Sequence, residues 1–337
     1  MRYPKFLKKD SVITLVAPSY GCTTSPYKEK LIRSHSFLLD QGFNVIFGTN
    51  YYETYIGRSN TKEKCAEEIM EFYDKTNLLL SVGGGELETE ILEDINFNTI
   101  RAMEPTFFMG YSDNTNLTFT LTTLSDVATI YGPNAPEFGS YNIHESLHQT
   151  LDLLRGKSLI VEGFPNFELK SEVTAENPYA DYNLTEEKIL RNYPTDFVKF
   201  EGRIIGGCLD TLVNLVGTPF DHVEAFSERY REDGIIWFFE SCDLHMFDIR
   251  RSLLQIKRAN WFSNVKGFIF GRPANFGEVQ NGLDQYNAVL EIVEEFNVPV
   301  IMDADIGHLK PTIPILCGSY AKVIANDNIR IEYVLKK

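Results

Sequence analysis

The chain is 337 residues long, more than one average domain needs and comfortable for two. It is 43% hydrophobic and 23% charged, with 24 Phe and 17 Tyr, so large cores can be buried and disorder is not its default state. The formal net charge of −15, with no long basic run, sets nucleic acid aside as a partner, because phosphate backbones are held by clustered Lys and Arg.

From the N-terminus, MRYPKFLKKDSVITLVAP lacks the charged–apolar–cleavage order of a signal peptide. The pattern then alternates. Strand-like segments are expected at 12–18, 44–48, 77–83, 105–111 and 127–132, and helix-like stretches at 27–42, 62–75, 87–95 and 116–124. Buried runs alternating with helices predict a parallel sheet covered on both faces, with its site outside the carboxyl ends of the strands. Residues 157–203 have no sustained period and read as a linker plus a long loop. A second α/β pattern follows, with strands at 234–240, 265–271 and 298–305. The most apolar run, IIWFF at 235–239, has strand length and cannot cross a bilayer. Cys22, Cys65, Cys208, Cys242 and Cys317 are scattered and form no CxxC, which fits a reducing compartment. The expected address is the cytoplasm, with no membrane partner.

In PTFFMGYSDNT (105–115) an apolar strand runs into Gly110-Tyr111-Ser112 and a helix follows. Strand, tight turn, helix is the setting that lifts a serine hydroxyl above a sheet, although the pattern is GxSxN and not GxSxG. The alternative is that Ser112, Asp113 or Asn114 caps the helix. A second turn, SVGGGELE (81–88), places three glycines between a buried strand and a helix. Backbone N–H groups there can approach a ligand oxygen, and with the Asp113 N–H they would form an oxyanion hole; otherwise the glycines only make the turn.

A serine needs a base and the base needs an orienting acid. His35 lies on the apolar side of a helix, and His222 and His245 lie in poorly defined turns. His308, in MDADIGHLKP, follows a strand at its carboxyl end, where a base would sit. Glu240 closes the apolar strand GIIWFFE, and a carboxylate there needs a partner or serves as a cap. Ser112, Glu240, His308 is a Ser–acid–His chain order. The rival motif is His144-Glu145-Ser146-Leu147-His148, a literal HExxH whose histidines could bind zinc; Asn142 reads as the helix cap, which puts the motif in the first turns with no third ligand in view.

Taken in order, VAPSYG (16–21), SVGGGE (81–86), GYSDNT (110–115), YGPN (131–134), RIIGGCLDTLVNLVGTP (203–219), FFES (238–241) with DIRRSLLQI (248–256), and VPVIMDADIGHLKP (298–311) resemble the LD-carboxypeptidase and microcin C self-immunity family of serine peptidases. The resemblance implies a flavodoxin-like N-terminal domain (1–160), a linker and substrate loop (161–203) and a smaller, swivelling-type C-terminal α/β domain (204–337). It implies Ser112 as nucleophile, His308 as base, Glu240 as its orienter, and an oxyanion hole from Gly84, Gly85 and Asp113. It further implies no metal or other cofactor, and often a homodimer. Substrates in the family are murein LD-tetrapeptides, trimmed during cell-wall recycling, or aminoacyl-nucleotides. A non-catalytic peptide- or nucleotide-binding protein on the same scaffold is the alternative. The long 157–203 stretch resembles the immunity branch, which stacks a loop tryptophan on the base. Here Trp237 and Trp261 lie outside the loop, so Tyr179, Tyr182 and Tyr193 are the candidates for that contact. Leu244 stands where immunity proteins have lysine, and Cys208 where relatives often have a polar residue.

Overall fold

The computed structural model describes residues 1–337. Its strands, in chain order, are β1 (Val12–Val16), β2 (Asn44–Phe47), β3 (Leu78–Ser81), β4 (Phe107–Gly110), β5 (Thr129–Tyr131), β6 (Ile160–Glu162), β7 (Asn166–Phe167), β8 (Glu186–Glu187), β9 (Arg191–Tyr193), β10 (Val198–Cys208), β11 (Ile235–Glu240), β12 (Val265–Gly271), β13 (Val300–Ala304), β14 (Ile315–Cys317), β15 (Tyr320–Ala325) and β16 (Ile329–Val334).

The first sheet has the order β2-β1-β3-β4-β5-β14, with β1 to β5 parallel and β14 antiparallel on β5. The run 2-1-3-4-5 is the flavodoxin-like doubly wound order. Strands β3 (LLLS) and β4 (FFMG) are buried at every residue because helices cover both faces, which is why they read as continuous apolar runs. The helix Thr115–Ser125 is buried at all eleven positions. It packs against β4, β5, β10 and the helix Leu209–Leu215, so it ties the two sheets together. Its threonines survive burial because Thr120, Thr122 and Thr123 hydroxyls donate to carbonyls four residues back. The helix expected at 87–95 is a 3-10 helix, Glu88–Glu93, whose entry is held by the Asp113 carboxylate accepting the Glu88 N–H at 2.9 Å.

The second sheet has eight strands in the order β6-β16-β15-β10-β11-β12-β13-β9, parallel through β10 to β13 and antiparallel elsewhere. The stretch expected to be linker and loop supplies both edges of this sheet, β6 against β16 and β9 against β13, together with the ribbon β7–β8 and the start of β10. Edge strands this short show no period of their own. The loop is also pinned from beneath. Lys188 Nζ lies 2.9 Å from Asp305 Oδ2, and Arg272 Nη2 lies 2.7 Å from Asp305 Oδ1, all three side chains being buried. No helix is long and apolar enough to cross a membrane.

Candidate active site

Strand β4 ends at Gly110, and Ser112 then adopts φ +66° before the chain turns into the helix Thr115–Ser125. The left-handed region costs a residue with a Cβ about 1 kcal/mol or more, so neighbours must hold it. They do so through side chains. The Ser112 N–H donates to Tyr131 Oη at 3.1 Å, and Asn114 Nδ2 donates to the carbonyls of Gly83 (2.9 Å) and Tyr111 (3.0 Å). The Asp113 carboxylate accepts from Ser19 Oγ at 2.5 Å, linking the turn after β1 to the turn after β4. Helix capping is not what these residues do: neither the 3-10 turn Ser112–Asn114 nor the following helix has a side-chain cap hydrogen bond.

The glycine turn lies directly against Ser112. A Cβ on Gly84 would stand 3.1 Å from both Cβ and Oγ of Ser112 and 3.8 Å from the Asp113 amide nitrogen. The N–H groups of Gly84 and Gly85 donate to no protein group, and so remain available to an oxygen beside Ser112.

Glu240, at the end of β11, is buried, and His308 Nδ1 lies 2.8 Å from its Oε2. Tyr131 Oη donates to the other oxygen, Oε1. Burial alone would raise the Glu240 carboxyl; the His308 charge and the hydrogen bonds from His308 and Tyr131 outweigh it and hold it below its usual range. For His308 burial works downward, and the Glu240 charge with the hydrogen bond His308 donates to Glu240 raises it above the usual imidazole value. Burial keeps the Tyr131 hydroxyl protonated, so it stays a donor to Glu240 while its oxygen accepts the Ser112 N–H. Tyr131 therefore ties Ser112 to Glu240. His308 Nε2 bonds no protein group, and Ser112 Oγ makes no hydrogen bond to His308, as is common before a substrate closes the gap.

Ser112 and His308 face one cavity of about 600 Å³. Its walls are the turns after β1 (Tyr20 to Thr24), β3 (Val82 to Glu86) and β5 (Asn134 to Glu137), with Tyr111, Cys242 and Arg58. These are carboxyl ends of strands, and β1/β3 is where the strand order reverses. Tyr179 and Tyr182 stand outside this lining. Tyr179 packs on Tyr141, and Tyr182 packs on His144 and donates to Glu137 Oε2 at 3.4 Å. Tyr193 is in edge strand β9, and Trp237 and Trp261 stack on each other in the core. The aromatic rings that do line the cavity are Tyr20, Tyr27 and Tyr111. Cys208, in register with Glu240, borders a smaller cavity that also touches Ser112. A further cavity of about 690 Å³, around Asn96, Arg101 and His222, shares no residue with either. Sequence reading missed Tyr131, although YGPN was among the recognised segments.

The HExxH histidines sit apart from all this. His144, and not Asn142, caps the helix Glu145–Leu154, its Nδ1 accepting the Ser146 N–H at 3.1 Å. No three His, Cys, Asp or Glu side chains are grouped to hold a metal ion, so the pair has no third ligand.

A strained serine at the strand ends of the flavodoxin-like sheet shares a cavity with a carboxylate-backed histidine carried by the second sheet, an arrangement compatible with a two-sheet α/β hydrolase. The sequence narrows this further. Residues 13–132 match the model of the LD-carboxypeptidase N-terminal domain, and residues 201–323 that of the C-terminal domain. The chain belongs to the LD-carboxypeptidase family of serine peptidases. It is 26% identical over 320 residues to the microcin C7 self-immunity protein MccF of Escherichia coli, covering 90% of this chain and 88% of that one. It is 24% identical over 327 residues to the “probable murein peptide carboxypeptidase” of Bacillus subtilis, covering 94% and 90%. The solved structure of MccF in complex with aspartyl sulfamoyl adenosine superposes with a TM-score of 0.82 at 22% identity, covering 100% of this chain and 99% of that one.

Proposed function

We propose that the protein is a serine carboxypeptidase-type hydrolase that cleaves a terminal amide in a small peptide or a peptide-nucleotide, with Ser112 as nucleophile, His308 as base and Glu240 as the orienting acid. As Ser112 Oγ attacks the carbonyl carbon, His308 Nε2 takes its proton and the buried Glu240 carboxylate stabilises the imidazolium. The carbonyl oxygen, now negative, is met by the free N–H groups of Gly84 and Gly85 and by that of Asp113. The tetrahedral adduct collapses, the C–N bond breaks, and the amine leaves with the proton from His308. Water, deprotonated by His308, then releases the acyl group and restores the serine.

One observation carries this reading: a serine held at φ +66° on a strand-to-helix turn shares its cavity with a histidine that is hydrogen-bonded to a buried carboxylate. The names of the relatives support the two substrate classes, murein peptides and aminoacyl-nucleotides, and exposed Tyr20 and Tyr27 offer π-faces for a base in place of Tyr179 and Tyr182. The reaction belongs in a reducing compartment such as the cytoplasm, in keeping with five unpaired cysteines, and a homodimer is the expected assembly. A non-catalytic binding role draws on one fact, the missing hydrogen bond from Ser112 to His308. Offering murein tetrapeptide and an aminoacyl-sulfamoyl adenosine side by side to the wild type and to Ser112→Ala separates the two. Release of an amino acid by the wild type alone supports hydrolysis, whereas binding without release by either protein favours the other reading.

A further inference from the structure

Three turns meet around Ser112: the one after β1, with Ser19 and Tyr20, the glycine turn after β3, from Gly83 to Glu88, and the one after β4, from Ser112 to Asn114. The first two are joined by a main-chain bond, the Tyr20 N–H donating to the Gly84 carbonyl at 3.1 Å. The buried Asp113 carboxylate ties the third to both. Its Oδ2 accepts from Ser19 Oγ at 2.5 Å and from the Glu88 N–H at 2.9 Å, while its Oδ1 accepts from Asn116 Nδ2 at 3.0 Å. Every partner donates, which is the pattern of an ionised carboxylate, and bonds to a charged acceptor are the strong kind. The neighbouring Glu88 carboxyl is buried with no partner on either oxygen. Burial, and then the Asp113 charge, raise it well above its usual range, so it stands neutral beside Asp113.

These bonds bear on the backbone that faces Ser112. The Ser19 hydroxyl, held by Asp113, lies directly against Gly85: a Cβ on Gly85 would stand 2.2 Å from Ser19 Oγ. Ser19 is itself fixed, since it is fully buried and its carbonyl accepts the Ser59 N–H at 2.7 Å. The Glu88 N–H anchors the far end of the same glycine turn. The Gly84 and Gly85 backbone is thus braced by one carboxylate, and the residue that carries it also carries the Asp113 N–H. None of the donors to Asp113 is Ser112 or His308, so the carboxylate takes no part in moving the serine proton.

We infer that the Asp113 side chain is a positioning residue for hydrolysis: through Ser19 and the Glu88 N–H it holds the Gly84 and Gly85 N–H groups in line with its own N–H, so that all of them converge on one oxygen beside Ser112. The inference rests on Ser112 being the nucleophile, with those N–H groups as its oxyanion hole. Such donors stabilise charge only when aimed at the place where it develops, and a displacement of about 1 Å costs on the order of a hundredfold in rate. The Asp113 carboxylate therefore acts on the transition state and leaves substrate affinity nearly untouched.

Asp113→Asn replaces an acceptor oxygen by a donor at constant shape, and Ser19→Ala removes one bond of the same network without changing charge, so it carries the test should Asp113→Asn not fold. Each is assayed for turnover of murein tetrapeptide and of aspartyl-sulfamoyl adenosine, and for calorimetric binding of those ligands in the Ser112→Ala background. The transition-state probe is the boronic acid counterpart of alanine. Ser112 Oγ adds to its boron, the serine proton passes to His308, and one hydroxyl on the tetrahedral boron takes the oxyanion position. The expected result is a loss of about ten- to a hundredfold in kcat and in boronic acid affinity for Asp113→Asn, and about tenfold for Ser19→Ala. Substrate affinity should stay within about threefold, the rise of kcat/KM with pH should not move, and the double variant should lose no more than Asp113→Asn alone. Equal losses in substrate and boronic acid binding, a shifted pH profile, additive losses, or kcat within about threefold of the wild type would overturn the inference. Failure of the nucleophile assignment reads differently: the wild type would then bind the boronic acid no more tightly than Ser112→Ala and hydrolyse neither substrate.

Discussion

At the end of β4 the backbone bends and the side chain is left free, whereas at the end of β11 the backbone runs straight and the side chain is bound on both oxygens. Ser112 sits at φ +66° with an Oγ that bonds nothing, and its strain is carried by Tyr131, Asn114 and Asp113 around it. Glu240 lies in regular strand with Tyr131 on one oxygen and His308 on the other. Reactivity is prepared in conformation at the first place and in electrostatics at the second. A change to the Ser112 side chain should therefore cost activity and spare stability, whereas changes around Glu240 should cost both.

The largest effect expected is at Ser112. Ser112→Ala should lower kcat/KM by about ten-thousandfold or more while the thermal midpoint stays close to that of the wild type. Glu240→Gln comes next, with a loss of about a thousand- to ten-thousandfold, and it should also move the pH profile. His308 acts only when neutral, and Glu240 holds its pKa above the usual imidazole value, so wild-type kcat/KM should rise with pH through an apparent pKa above about 6.5. The residual activity of Glu240→Gln should rise at lower pH. An unshifted profile would separate Glu240 from the base. Gly307→Ala probes the join between the two sites. At φ +113°, its added Cβ would lie 2.6 Å from Glu240 Oε2, so the His308 loop must move. The expectation is a loss of about a hundredfold in turnover and about 2 kcal/mol in denaturant-derived stability. Tyr131→Phe should be mildest, about tenfold in kcat, because one hydroxyl serves both sides of the comparison. If its loss left turnover and stability unchanged, Ser112 and Glu240 would be independent of each other.

The same contrast explains what could be read from sequence. The Ser112 turn was legible because strand, glycine and helix start are local signals, and Glu240 stood out as a carboxylate closing an apolar run. Tyr131 carries no such mark: in a short buried strand it reads as core, and only the folded chain brings its hydroxyl between Ser112 and Glu240. Tyr179 and Tyr182 stand out in the sequence only by their place in a long loop. The direction a loop residue faces is set by what it packs on, here Tyr141 and His144. The edge strands inside 157–203 were hidden because two or three residues are too few to show alternation. The smaller cavity beside Cys208 is assembled from separate segments around Glu86, Asn116, Asp210 and Asp243, which no local pattern connects.

The central claim, that Ser112 is the nucleophile, is tested most directly by acid-quenching the wild-type enzyme during turnover of an aminoacyl-sulfamoyl adenosine or a murein tetrapeptide and mapping the adduct by mass spectrometry. The account predicts a mass increase equal to the acyl group on the peptide containing Ser112, absent from Ser112→Ala. An adduct on another residue, or turnover by Ser112→Ala at a rate near that of the wild type, would contradict it.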